Sequence, residues 1–244
     1  MQPKLLTVKV GPLTVRLLDV ERPANQPPSA LVVLCHGYGA PGHDLVGIGA
    51  EILSTQPSLL GRVRFAFPEA PLPLPGMDGR AWWHIDIARF QKAAATGDIA
   101  KLLDEVPEGL PAARKMLLAT VDELARSCGV PMSRVVLGGF SQGAMVATDL
   151  GLRLEEAPAA LAIMSGTLIN RPEWTKLAAK RRGLHVLQSH GTSDPILPYT
   201  AALALHELLK DAGLLVDFIR FDGGHGIDGA VVDKLAALID AMAA

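Results

Sequence analysis

The chain has 244 residues, 49% of them hydrophobic and 20% charged, with a formal net charge of −2. Such an apolar content excludes a disordered chain, and the length suffices for one large core that needs no disulfide or metal staple. The near-neutral charge excludes the electrostatic footprint of a nucleic-acid binder, and no apolar run approaches the length of a membrane span.

Two short strand-like runs, residues 5–10 and 13–20, open the chain on either side of Gly11-Pro12 and predict an antiparallel hairpin. Residues 1–12 hold no signal-peptide core, so the protein is expected in the cytoplasm. A loop rich in proline and polar residues follows, at 22–29. Beyond it, short apolar runs alternate with helical patterns. The runs are Ala30–Cys35, 63–67, 135–137, Ala160–Met164, 185–188 and 216–221. Unbroken apolarity is what a parallel strand covered on both faces requires. Helical stripes appear at Leu117, Val121, Leu124 and Cys128, at Ala201, Leu205, Leu208 and Ala212, and at Val231, Leu235, Leu238 and Met242. Gly213 reads as the C-terminal cap of the second. The basic run Lys180-Arg181-Arg182 reads as the solvated end of a helix. Cys35 and Cys128 are too few for a disulfide framework and read as buried small hydrophobes. The alternation predicts one α/β domain over residues 1–244, with a mostly parallel central sheet, an antiparallel N-terminal hairpin and helices on both faces. A lid or binding-loop excursion is expected at 68–110, made of a Pro-rich loop and the weakly patterned stretch 87–108.

Gly139-Phe140-Ser141-Gln142-Gly143 matches G-x-S-x-G. It stands between a buried strand and a buried helix, where a sharp turn can lift a serine hydroxyl onto the sheet edge. This is the nucleophile position of an α/β-hydrolase fold. A neutral hydroxyl needs a base, and in this fold the order along the chain is Ser, then Asp or Glu, then His. Of His185, His190, His206 and His225, only His225 lies in a flexible loop, Gly223-Gly224-His225-Gly226, after a strand. Asp194, after the strand at 185–188, is the expected orienting acid, with Asp222 as its rival. The loop after the first buried strand, Cys35-His36-Gly37-Tyr38-Gly39-Ala40-Pro41-Gly42, is expected to donate the Tyr38 backbone N–H to an oxyanion, and Gln142 the second. The same glycines satisfy G-x-G-x-x-G, so a dinucleotide site with Glu69 as ribose acid is the competing reading. No metal is expected: H-E-x-x-H and Cys-x-x-Cys are both missing, and His36 and His43 have no acidic partner at a recognisable spacing.

The segments LCHGYGAPG, FPEAP, AWWHID, GGFSQGAM, SHGTSDPILP and GGHGI, in that order, resemble the phospholipase/carboxylesterase family, which includes acyl-protein thioesterases and lysophospholipases. The resemblance implies a lightly lidded α/β-hydrolase that cleaves carboxylic ester, thioester or lysophospholipid bonds without a cofactor. It carries the triad roles onto Ser141, Asp194 and His225, and the oxyanion roles onto Tyr38 and Gln142. Tyr38 replaces the aliphatic residue common there, and His84 a common acidic one. Leu72, Leu74, Met77, Trp82 and Trp83 are the expected wall of an acyl pocket for a small-molecule or acyl-ester substrate. Two other classes remain open: a binding module on a hydrolase scaffold, and a proline-rich ligand at Pro68, Pro71, Pro73 and Pro75. Monomer and homodimer are equally compatible with the sequence.

Overall fold

Eight strands form one sheet in the order β1-β2-β4-β3-β7-β8-β9-β10. The computed structural model describes residues 2–21, 26–76, 78–86, 89 and 99–243. The hairpin of β1 (Lys4–Val10) and β2 (Leu13–Asp19) joins β4 (Val63–Pro68) antiparallel. From β4 onward, β3 (Ala30–Cys35), β7 (Val135–Phe140), β8 (Ala160–Met164), β9 (His185–Gly191) and β10 (Leu215–Phe221) all pair in parallel.

The unbroken apolar runs have the expected cause. In β3, Leu31, Val33 and Cys35 enter one core cluster, and Val32 and Leu34 enter the other. Val135 and Leu137 of β7 likewise face away from Val136. The first cluster is covered by α3 (Leu110–Cys128), α4 (Gln142–Arg153), α5 (Arg171–Ala178) and α6 (Tyr199–Asp211). The second is covered by α1 (Val46–Thr55) and α7 (Gly229–Ala243). Among the described residues, no helix is long and apolar enough to cross a membrane.

Two strands run further than their apolar signal. β7 continues through Gly138, Gly139 and Phe140, and β9 through Ser189, His190 and Gly191. Backbone pairing needs no side chain, and Gly138 and Gly139 pair with Leu34 and Cys35. A Cβ at Gly138 would run into Ala162, so the closeness of β8 is what excludes one. The helical stripes are also turned slightly. Leu209 and Ile239 are fully buried, whereas Leu208, Leu238 and Met242 are only packed against the core. Gly213, at φ +84, follows α6 as the predicted left-handed cap.

Within the 68–110 excursion, β5 (Leu72–Pro73) and β6 (Arg80–Ala81) form a small antiparallel ribbon, and α2 (Ile99–Asp104) precedes α3. Residues 87–88 and 90–98, where a lid was expected, lie outside the described residues.

Candidate active site

Ser141 alone makes the turn between β7 and α4, at φ 54 and ψ −120. An L-residue avoids this conformation, at a cost of about 1–3 kcal/mol, unless its surroundings hold it there. The Ser141 N–H donates to the Met164 carbonyl at 2.9 Å, and its carbonyl accepts from Met145 N–H at 3.2 Å. The end of β3 presses on both flanks: a Cβ at Gly139 or at Gly143 would run into the Cys35 carbonyl. The motif's glycines therefore serve the close approach of the β3 end to β7 at Gly139 and to the first turn of α4 at Gly143. The hydroxyl stands at the C-terminal edge of the parallel strands, where such sheets bind ligands.

His225 reaches that edge from the loop after β10. Its Nε2 lies 2.9 Å from Ser141 Oγ and its Nδ1 2.7 Å from Asp194 Oδ2. A carboxylate only accepts, so Nδ1 carries the proton and Nε2 is left to accept from the serine hydroxyl. The loop is fastened to the acid turn by Thr192 N–H to the Phe221 carbonyl and Ser193 N–H to the Gly223 carbonyl. It is fastened to the residue that follows β8 by the Ser165 hydroxyl, which donates to the Gly226 carbonyl at 2.7 Å. A Cβ at Gly191 would meet the carbonyls of Gly223 and Gly224, which explains the glycine after His190. The Phe140 ring packs on the imidazole, centroids 4.8 Å apart.

Asp194 Oδ1 accepts from Ile196 N–H at 2.8 Å and Leu197 N–H at 2.9 Å. Burial raises this carboxyl, but hydrogen bonds from His190, His225, Leu197 and Ile196 outweigh it and hold it well below the usual carboxylate range. Asp222 is exposed, and His225 bonds to Asp194. His185 is exposed as well, and His206 stacks on Phe218. His190 is different: it touches Asp194, a contact that the spacing of the motif did not reveal.

The loop after β3 carries Tyr38 to the same edge. Neither its backbone N–H nor that of Gln142 has a partner among the described residues. His36 shapes this loop. Its Nδ1 donates to the Gly37 carbonyl at 2.8 Å, its Nε2 accepts from Ala70 N–H at 3.1 Å, and its carbonyl accepts from Trp82 Nε1 at 2.9 Å. Both ring nitrogens are thus committed to the neutral form. Burial lowers its pKa below the ordinary 6.5, only partly opposed by the Gly37 carbonyl and the carboxylates of Asp44 and Glu69. The unfolded chain binds this proton more readily than the fold does. The stability His36 contributes is therefore complete above the ordinary imidazole value and is lost as pH falls through the lowered one. Thermal unfolding between about pH 7.5 and about pH 5 should show a decline that is shallower in His36→Gln than in the wild type. Equal slopes would sink this account.

The dinucleotide reading fails on geometry. Gly37, Gly39 and Gly42 do not open a helix, since α1 starts only at Val46. Glu69 is held by Arg16 at 2.7 Å and by Arg80 at 3.2 Å, and a Cβ at Gly42 would strike that pair. Among the described residues, no three potential metal ligands gather.

Of the expected acyl-pocket residues, Leu72 is half-buried, Leu74 is buried, and Trp82 and Trp83 lie in the main core cluster. Met77 lies outside the described residues. His84 is exposed. The Trp pair is tied directly to the Ser141 turn by a residue whose side chain the motif left without a role. Gln142 Oε1 accepts from Trp82 N–H at 2.9 Å, and its Nε2 donates to the Trp83 carbonyl at 2.8 Å. One buried amide thus couples the residue after the serine to the aromatic segment.

The model of the phospholipase/carboxylesterase family matches residues 18–243. An acyl-protein thioesterase 1 of Mycosarcoma maydis is 31% identical over 201 residues, which cover 78% of this chain and 79% of that protein. One of Gibberella zeae is 28% identical over 233 residues, covering 92% and 95%. Among solved structures, esterase PE8 shares 26% identity at a TM-score of 0.74, covering 99% of this chain and 100% of that one. A family match across nearly the whole chain, joined to this fold, means that the chain belongs to the phospholipase/carboxylesterase family and is a serine hydrolase acting on carboxylic ester bonds.

Proposed function

We propose that the protein transfers the acyl group of a carboxylic ester or thioester to water through an acyl-enzyme on Ser141. What carries the reading is the unbroken relay from Ser141 Oγ through His225 to Asp194, at 2.9 and 2.7 Å. His225 takes the Ser141 proton as Oγ attacks the substrate carbonyl, and the resulting oxyanion is held by the N–H groups of Tyr38 and Gln142. Each such donor is typically worth about 3 kcal/mol in the transition state. The imidazolium, steadied by ionised Asp194, then protonates the departing alcohol or thiol. A water molecule gives its proton to His225, attacks the acyl carbonyl and releases the carboxylic acid, and the proton returns to Ser141.

Thioesters are included because two of the relatives are named acyl-protein thioesterases. An apolar acyl chain is the expected cargo, received beside the Ser141 turn by Leu72, Leu74 and the segment Trp82-Trp83 that Gln142 holds. The test is hydrolysis of p-nitrophenyl esters and matching thioesters over a series of acyl lengths, with a fluorophosphonate probe read by peptide mass. The expected result is one optimum of chain length and a label confined to the peptide of Ser141. No turnover and no label on Ser141 would instead indicate a binding module.

A further inference from the structure

His190, near the C-terminal end of β9, is fully buried. Its Nε2 lies 2.9 Å from the Leu197 carbonyl and 3.3 Å from Asp194 Oδ2. Both neighbours can only accept, so Nε2 carries the proton. Its Nδ1 is buried without a hydrogen-bond partner among the described residues, so nothing there would receive a second N–H. The one N–H of the ring bonds to the Leu197 carbonyl and passes within 3.3 Å of Asp194 Oδ2.

The contact with Asp194 closes a cycle. Residue 197 accepts from His190 through its carbonyl and donates to Asp194 Oδ1 through its N–H. Asp194 Oδ2, the oxygen that faces His190, is also the one that binds His225 Nδ1 at 2.7 Å. Two backbone N–H groups, of Ile196 and Leu197, converge on Oδ1, while Oδ2 accepts from His225 and has the His190 Nε2–H within 3.3 Å. Tyr199 of α6 faces the His190 ring, centroids 6.2 Å apart, and Phe140 of β7 faces His225. Among the described residues, no lysine or arginine pairs with Asp194, His190 or His225.

We propose that His190 is a positioning residue of the hydrolytic site, which fixes the Asp194 carboxylate in the orientation that meets His225 and takes a share of the charge on Oδ2. The inference deepens the proposed function and rests on it. Without this donor, Asp194 would draw more strongly on the His225 imidazolium, moving the acid limb of kcat/KM to higher pH. The carboxylate would also gain freedom to turn, lowering the plateau of kcat. A residue that merely fills space would change neither the limb nor the ratio of kcat to KM.

The experiment compares the wild type, Ser141→Ala, His190→Leu and His190→Gln on one p-nitrophenyl ester across pH. In His190→Leu, plateau kcat should fall about tenfold, the effect of losing one hydrogen bond to a charged group. KM should hold, and the acid limb should rise by roughly half to one pH unit. His190→Gln, whose amide N–H can occupy the place of Nε2, should recover most of the loss. An unmoved limb with unchanged kcat in His190→Leu would overturn the inference. So would a loss that glutamine leaves uncorrected. Independently of any variant's folding, nitrogen NMR of the wild type should show His190 as the Nε2–H tautomer, and the Nδ1–H tautomer would overturn the proposal. Wild-type turnover in Ser141→Ala would sink the proposed function itself. Loss of turnover there, with an unmoved limb in His190→Leu, would sink only the role of His190.

Discussion

Replacing Ser141 with alanine should lower kcat/KM roughly 10⁵- to 10⁶-fold, the scale found when the nucleophile of a serine protease is deleted. What remains would come from the oxyanion donors and substrate binding, which do not require Oγ. The fold should survive. The hydroxyl's hydrogen bond runs to His225, while the backbone bonds to Met164 and Met145 hold the turn whichever side chain is present. Alanine retains a Cβ at φ 54 and so retains the strain. Ser141→Gly, equally inactive, should unfold at a higher temperature than Ser141→Ala, because only glycine adopts that conformation freely. Esterase assays and melting curves on the same preparations decide it. A Ser141→Ala enzyme with a tenth of wild-type activity would mean that another group attacks the substrate.

Asp194→Asn should cost about 10⁴-fold in kcat with KM little changed, as when a triad acid is made an amide elsewhere. The hydrogen bonds here dictate why. Ile196 and Leu197 both offer N–H groups to Oδ1, so an asparagine would turn its carbonyl oxygen toward them. Its NH₂ would then point at His225 Nδ1 and His190 Nε2. His225 would have to accept at Nδ1 and carry its proton on Nε2, the nitrogen that must take the proton of Ser141. The loss would come from a wrong tautomer in nearly native geometry. Asp194 contributes stability that is complete above the ordinary carboxylate value of 3.8 and is lost only as pH falls through its lowered one. The variant should therefore also be less stable than the wild type at neutral pH. Single-turnover rates and thermal unfolding test both parts, and a kcat within tenfold of the wild type would show that His225 does not depend on Asp194 for its tautomer.

Much of this was legible in the sequence because it is local. Unbroken apolarity in Ala30–Cys35 and Ala160–Met164 reports strands covered on two faces, and their alternation with helical stripes reports a parallel sheet. Glycines on both sides of Ser141 report a backbone packed too closely for side chains on the flanks of a sharp turn, and the order of Ser141, Asp194 and His225 follows from which strand ends can share one edge. The rest depended on which distant groups came within hydrogen-bond reach. Gln142 sits in the most recognisable motif of the chain, yet its amide finds Trp82 and Trp83 across about 60 residues, at separations of 60 and 59. His190 reads as the polar end of a strand until the turn at Asp194 folds back onto its ring. β7 and β9 run beyond their apolar residues because ladders are made by backbone amides, which leave no mark on side-chain pattern. The sequence by itself determined the layers, the turn and the residue types at the edge, since periodicity and backbone sterics act over a few residues. Only the tertiary structure decided which donors converge on Asp194 and what holds the aromatic segment, since those contacts exist only once the chain has closed on itself.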